Sequence, residues 1–305
     1  MLECPICGNN RDGFITSSFL PKCLRCGNCG GNFVTSLEKD IYNEEYFSEK
    51  TNPSIIAKIS SPLLDFFYIL RVNKIKELIS DKKSPKVLDY GCGTGKLVDA
   101  LIKNGIDAVG FEPSEGARQI AARKNLPVYG EIKPMKGDCD LIMFWHSLEH
   151  TETPLETLNS IKNNLADDGK ILIAVPNADS FEARVFKENW FHYSYPFHLI
   201  HFTPKSAKIM LQKAGFKPSS IDFWNPEYTI SGLIQSFLNW FLPKDTLYSV
   251  ISHRRQTMPL YKAVLISFIS VLIILIFSPF LALFFIFQLI LKKTGAIVII
   301  AQKEV

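Results

Sequence analysis

From Ala263 to Leu291 the chain carries no Asp, Glu, Lys or Arg, and Gly295-Ala-Ile-Val-Ile-Ile-Ala301 shortly after it reads as a buried β-strand. This pairing constrains the fold more than any other feature. At about 1.5 Å per residue, one helix over the apolar run is roughly 44 Å long, enough to cross a bilayer. A strand that must rejoin a sheet built from earlier residues cannot lie across a membrane from that sheet. The expectation is therefore a helical hairpin, bent near Ser278-Pro279, that enters and leaves one leaflet, because proline cannot donate in a helix interior. Its arms, about 16 and 12 residues, are too short to cross comfortably. Lys262 and Lys292-Lys293 flank the run, with His253-Arg254-Arg255 upstream, and basic ends fit a cytoplasmic exit for both arms. Just before it, Ile230, Leu233, Ile234, Phe237, Leu238 and Phe241 form a helical stripe beside Trp240, suited equally to a membrane interface and to packing on the protein.

Outside that run the composition is ordinary, so the mean hydropathy of +0.09 averages two different materials. A length of 305 residues suggests about two domains. With 17 Gly and 17 Pro the chain is not collagen-like or low-complexity. A net charge of +4 does not by itself mark a nucleic-acid binder. Met1-Leu-Glu-Cys-Pro has neither a basic nor an apolar leader segment, so no signal peptide is expected.

Five of the seven cysteines fall in the first 29 residues. In a reducing compartment, paired cysteines are metal ligands more often than disulfides. Cys4-Pro-Ile-Cys7-Gly8 has zinc-knuckle spacing, two thiolates on one tight turn. The second pair is Cys23/Cys26 or Cys26/Cys29, both followed by Gly. Cys26 and Cys29 are preferred because Gly-Asn-Phe-Val-Thr then leads out as a ribbon strand, with Cys23 spare or exchanging. Four thiolates close the coordination sphere, so a zinc ion held by Cys4, Cys7, Cys26 and Cys29 is structural.

Downstream, a polar link from Tyr42 to Asn52 leads to Ser61-Pro62, an N-cap and first-turn proline. Leu63, Leu64, Phe67, Leu70, Ile75, Leu78 and Ile79 then recur at helical spacing. From Pro85, strands over 86–90, 107–111, 127–129, 140–145 and 170–175 alternate with helices over 96–104, 114–124 and 154–165. Thr203-Pro204 opens a helix that stops at Gly215, before a strand near 218–223. This alternation predicts an α/β fold, a parallel sheet covered on both faces by helices.

Between the first of these strands and its helix lies Asp89-Tyr-Gly91-Cys-Gly93-Thr-Gly95. Glycines there let backbone approach a ligand at the carboxyl end of a sheet. The spacing is GxGxG rather than the GxGxxG of dinucleotide binders. Asp89 puts a carboxylate beside a cationic group, and Glu112, ending the next strand, can accept from both hydroxyls of a ribose. These features together suit a nucleoside with an amino-acid tail.

The segment resembles class I S-adenosylmethionine-dependent methyltransferases of the bacterial branch similar to ubiquinone-biosynthesis O-methyltransferases. The matching stretches are Val87-Leu-Asp-Tyr-Gly-Cys-Gly-Thr-Gly95, Gly110-Phe-Glu-Pro-Ser114, Asp140-Leu-Ile-Met-Phe-Trp-His-Ser-Leu-Glu-His150, Leu165 to Gly169, Val175-Pro-Asn177 and Pro196-Phe-His-Leu-Ile-His-Phe-Thr-Pro204. A CxxC ribbon before such a domain is also a recurrent arrangement. The resemblance implies a Rossmann-like sheet in which Asp89, Gly91, Gly93 and Gly95 hold the methionine end of the cofactor and Glu112 the ribose. It also places Trp145 and His146 beside the sulfonium and Gly130-Glu131 where the adenine stacks. Some relatives use two acids and a His for a divalent metal near this point, and here His146 stands where the first acid falls.

Methyl transfer is an in-line displacement helped by proximity, and by a base when the acceptor is a hydroxyl or amine. His146, Glu149 and His150 share a face if their turn is helical, and His192, His198 and His201 come from the segment after the fifth strand. His146 or His198 is the expected base. The resulting expectation is a ribbon over 1–36, a linker and docking helix over 37–84, a methyltransferase domain over 85–225, a membrane-associated helical insert over 226–294 and the last strand of the same sheet over 295–305. The enzyme would sit on the cytoplasmic face of a membrane as a monotopic protein and O-methylate a lipid-linked, polyprenyl, quinone-like or glycan acceptor. Two alternatives are a soluble small-molecule acceptor, with the insert only localising the enzyme, and a non-catalytic membrane scaffold. A nucleic-acid substrate is not expected, since no basic stripe is interleaved with aromatics.

Overall fold

The computed structural model describes residues 2–10, 13–35, 55–132, 137–252 and 259–304. The Tyr42 to Asn52 link and His253-Arg254-Arg255 lie outside the described residues. Three short strands, β1 (Phe14–Thr16), β2 (Cys23–Cys26) and β3 (Asn32–Val34), form the N-terminal ribbon, and α1 (Ile55–Leu78) follows. The alternating region gives β4 (Lys86–Tyr90), α2 (Lys96–Lys103), β5 (Asp107–Phe111), α3 (Glu115–Arg123), β6 (Val128–Tyr129), β7 (Cys139–Trp145), α4 (Pro154–Ile161) and β8 (Leu165–Pro176). Next come α5 (Phe181–Phe186), β9 (Ile200–His201), α6 (Pro204–Lys213), β10 (Phe216–Asp222), α7 (Pro226–Leu238), α8 (Thr246–Ser252), α9 (Leu260–Ile290) and β11 (Ala296–Lys303).

The main sheet has the order β10-β11-β8-β7-β4-β5-β6. Its β4 to β8 members run parallel, and β11 is antiparallel to both its neighbours. Apolar residues alternate between its two faces, as buried parallel strands require. Val87, Leu141, Met143, Leu172 and Ala174 meet Val72 and Ile75 of α1 and Leu97 and Leu101 of α2. Leu88, Ile142, Phe144, Ile171 and Ile173 meet Leu158 of α4 and Met210 and Leu211 of α6. A Thr203–Ser206 capping box opens α6, fixing two otherwise unpaired amides.

The ribbon shares that second core. Its β3 pairs with β9, Asn32 opposite His201 and Phe33 opposite Ile200. Ile6 and Phe33 pack among Ile200, Phe202 and Met210.

Three local readings change. The first helix begins at Ile55 and passes through Pro62, which removes one backbone bond without ending it. The strand expected over 170–175 starts at Leu165, and a register shift opposite Cys139 and Leu141 absorbs Ala-Asp-Asp-Gly169. Most consequentially, the apolar run is one continuous helix through Pro279, not a hairpin.

The expected return to the sheet still holds, because α9 lies along the protein surface. Phe277 packs against Phe237 and Phe241, and Phe284 against Phe186. Packing on both sides of Pro279 outweighs the single bond it removes. The polarity of α9 is inverted relative to an ordinary surface helix. Ser270 and Gln288 are fully buried against the body, while Leu275, Ile276, Leu283 and Ile290 face outward, Ile276 being 71% exposed.

Candidate active site

The carboxyl ends of β4, β5 and β7 meet where the strand order reverses, the position at which open α/β sheets form a ligand crevice. The turn after β4 depends on two glycines in particular. Gly91 has φ +77°, and a Cβ there would lie 2.5 Å from the Ser147 Cβ. Gly93 has φ +56° with nothing within 4 Å of a would-be Cβ, so the loop presents bare backbone to open space.

Asp89, ending β4, is only 3% exposed and has no hydrogen-bond donor among the described residues. Burial pushes its carboxyl up to about 7; the Arg71 charge opposes that shift and the Glu112 charge adds to it. Glu112, 6% exposed, accepts from the Gly93 amide (2.8 Å) through one oxygen and the Ser114 amide (2.8 Å) through the other. Burial raises its pKa against the pull of those two amides. The acid thus braces the glycine loop while keeping lone pairs for a ligand hydroxyl.

After β7, His146 takes φ +53°, a left-handed conformation that non-glycine residues seldom adopt. Its Nδ1 lies 3.1 Å from Glu149 Oε1, and its ring stacks on Tyr228 with centroids 3.4 Å apart. Burial, helped by Arg71, lowers the His146 pKa to about 3, and burial raises that of Glu149 to about 7. The imidazole is therefore neutral at physiological pH. With Nδ1–H donating to Glu149, its Nε2 is an acceptor. That Nε2, the Glu149 Oε2 and the Trp145 indole N–H are buried with no partner among the described residues. An orphaned carboxylate, an orphaned acceptor and an orphaned donor around one crevice are what a site shaped for a polar ligand leaves behind.

Arg71, Glu227 and Tyr228 form a roof that sequence reasoning missed. Arg71 of α1 grips Glu227 of α7 with two bonds (2.8 and 2.5 Å) and donates to the Tyr228 hydroxyl (3.1 Å). Its guanidinium also lies over the Trp145 ring, 5.2 Å from the centroid. The available signal was a charged Glu227 in the first turn of a helix otherwise read as an apolar stripe.

The five histidines outside the undescribed segments gather as expected, but His146 and His198 do not act on one another. His198 hydrogen-bonds the His192 carbonyl (2.8 Å) and stands edge-on to His150, ring centroids 4.7 Å apart. Burial lowers its pKa as well. Ligand atoms of Glu149, His150 and His198 lie within 4.8 Å of one another. At Gly130 the Arg118 guanidinium lies directly alongside, held by the Glu112 and Pro113 carbonyls. Arg118 is thus a second neighbour of the expected adenine position that the motif did not show.

The N-terminal cysteines converge separately. Ligand atoms of Cys4, Cys7, Cys26 and Cys29 lie within 4.8 Å of one another, all four side chains buried. Cys4–Cys29 and Cys7–Cys26 sulfur distances are both 3.8 Å. A tetrahedral ion with metal–sulfur bonds of about 2.3 Å requires sulfur–sulfur edges of about 3.8 Å, far longer than a disulfide. The two knuckles repeat one turn, the Gly8 amide donating to the Cys4 carbonyl and the Gly30 amide to that of Cys26, each at 2.8 Å. Cys23 stays out of the cluster, with its sulfur 3.8 Å from His201 Nδ1.

A family model described as a methyltransferase domain matches residues 67–221, just over half the chain. A tRNA U34 carboxymethyltransferase from Proteus mirabilis is 28% identical over 155 residues, covering 46% of this chain and 47% of that protein. A ubiquinone biosynthesis O-methyltransferase from Acinetobacter baylyi is 23% identical over 120 residues, covering 35% and 50%. The chain spans about half the length of these curated relatives. A solved S-adenosylmethionine-dependent methyltransferase from Archaeoglobus fulgidus superposes with a TM-score of 0.46 at 20% identity, covering 77% of this chain and 94% of that one. With the sheet order, the glycine turn and its two acids in place, the chain belongs to the methyltransferase-domain family and has a Rossmann-like α/β fold.

Proposed function

We propose that the protein methylates a hydroxyl of an acceptor presented at a membrane surface, a lipid-linked, polyprenyl, quinone-like or glycan molecule. The observation that carries the membrane element is the inverted polarity of α9, whose outward face is dominated by Leu275, Ile276, Leu283 and Ile290 while Ser270 and Gln288 turn inward. A face of that kind in water is an interaction surface, and lipid suits its lack of polar partners. Because α9 packs along the body and its chain returns to the sheet, the reading is a helix lying in one leaflet rather than a span. Basic Lys262 and Lys292-Lys293 at its two ends fit headgroup contact.

In this proposal Asp89 receives the ammonium of the methionine moiety, Glu112 the ribose hydroxyls, and Gly91, Gly93 and Gly95 give the backbone room for both. Gly130 lies beside the adenine, flanked by Arg118, and Trp145 beside the sulfonium. The bound cofactor supplies an activated methyl on a positively charged sulfur. The neutral Nε2 of His146 accepts the acceptor hydroxyl's proton while Glu149 stabilises the resulting imidazolium through Nδ1. His198 is a positioning residue, aligning His150 and the His192 backbone behind this pair. Zinc on Cys4, Cys7, Cys26 and Cys29 is structural.

His146→Gln is expected to lower kcat by about 100-fold or more, with a much smaller change in S-adenosylhomocysteine affinity. An unchanged kcat would remove His146 as the base. The membrane element is tested by sedimentation with phosphatidylglycerol vesicles. Wild-type protein is expected to pellet with them, and Leu275→Glu with Leu283→Glu to stay in solution with cofactor binding intact. Equal methyl transfer to a soluble sugar nucleotide and none to any lipid acceptor would overturn the acceptor class.

A further inference from the structure

A cavity of about 360 Å³ opens between the ribbon and the main body, lined by Arg25 and Asn32 of the ribbon and by Asp179, Arg184 and Lys187 of the body. None of these residues belongs to the glycine turn, the Glu112 contacts or the His146–Tyr228 stack. Asn32 is 1% exposed, and neither its side-chain oxygen nor its nitrogen has a partner among the described residues. A buried amide with both ends unsatisfied is costly unless something else supplies a donor and an acceptor. Arg25 is the cross-strand partner of Asn32, so the two stand side by side on the ribbon.

The charge around this amide is unbalanced. Asp179 already serves both Arg184 and Lys293. Among the described residues no carboxylate pairs with Arg25 or Lys187. A buried group that both donates and accepts, rimmed by uncompensated cations, matches a ligand with hydroxyls next to an anion. Arg is well suited to phosphate oxygens, and the volume fits a small polar molecule.

We propose that this seam is a binding site for a phosphorylated polyol. The Asn32 amide takes the hydroxyls, and Arg25 and Lys187 take the phosphate. The site is independent of the methyl-donor crevice. Phe181 and Phe186 of the neighbouring α5 pack on Phe287 and Phe284 of α9, so the rim lies beside the apolar helix. The same chemistry can therefore arrive as a soluble sugar phosphate or as a phosphatidylglycerol headgroup.

Calorimetry with glucose 1-phosphate, and sedimentation with phosphatidylglycerol against phosphatidylcholine vesicles, distinguish the sources. Saturable binding in the first assay assigns a soluble ligand. A preference for phosphatidylglycerol that disappears in the Arg25→Ala, Lys187→Ala double variant assigns a headgroup. In whichever assay binds, that variant is expected to weaken binding by about tenfold or more while S-adenosylhomocysteine affinity stays within twofold. Asn32→Leu is expected to weaken the same binding at an equal or higher Tm, because it removes an unsatisfied polar group. The proposal is overturned if neither probe binds, if binding ignores both variants, or if Asn32→Leu sharply lowers Tm and so reveals a structural amide.

Discussion

Cys26→Ser is expected to empty the proposed N-terminal zinc site and lower Tm by about 5 °C or more, whereas Cys23→Ser leaves the metal content unchanged. The contrast rests on geometry. Cys26 forms one edge of a four-sulfur cluster, with its sulfur 3.8 Å from that of Cys7, while Cys23 faces His201. A structural zinc contributes on the order of 10 kcal/mol to the folding of a ribbon, so losing one ligand forfeits several. In this protein the effect spreads, because the ribbon is part of the main core. Ile6, Phe33 and the cysteines pack on Ile200, Phe202 and Met210. Lys213 also donates to the Cys7 carbonyl and the Tyr193 hydroxyl to that of Pro21. For a protein of this size about 3 kcal/mol corresponds to roughly 5 °C. Elemental analysis for one zinc per chain, with thermal melts in the presence and absence of a chelator, checks it. A Cys26→Ser protein that keeps one zinc and its Tm would refute the assignment.

The second large effect is the pH dependence of cofactor binding. Asp89 carries a carboxyl raised from 3.8 to about 7 by burial, with no donor to satisfy it among the described residues. A ligand ammonium pairs with the ionised form alone, so below about pH 7 binding must first expel a proton. Affinity for S-adenosylhomocysteine is expected to fall about tenfold per pH unit under pH 7 and to level off above pH 8. Asp89→Asn should weaken binding by about 100-fold at pH 8 and flatten the profile. The sign for the unliganded fold is opposite. A carboxyl raised on folding stabilises most below its unfolded pKa, and that contribution is lost as the pH rises through about 7. A profile that stays steep in Asp89→Asn would assign the titration to another group.

The sequence carried the sheet because its central strands, such as β4 and β7, are short, apolar and bounded by turn residues. Even the antiparallel β11 was legible beyond the long apolar run. The convergence of Cys4, Cys7, Cys26 and Cys29 was legible from spacing and from the strand that follows Cys29. What could not be read was how distant elements meet. Arg71 and Glu227 lie far apart in the chain, and neither local pattern records that two carboxylate oxygens will face one guanidinium. The unbroken α9 was misjudged for a related reason. Proline's cost in a helix is local and fixed, whereas the packing of Phe277, Leu281 and Phe284 that offsets it depends on where α5 and α7 lie. The histidines were found as a group, but that His146 stacks on Tyr228 and bonds Glu149 while His198 bonds the His192 carbonyl depends on how distant segments meet.

The most direct test of the central claim is calorimetric titration of the intact protein with S-adenosylhomocysteine at pH 8, beside Glu112→Ala. One site per chain with a dissociation constant of roughly micromolar order, weakened at least about tenfold in the variant, is the predicted result. No saturable binding by the wild-type protein, or equal binding by Glu112→Ala, would contradict the assignment of the crevice between β4, β5 and β7 as the methyl-donor site.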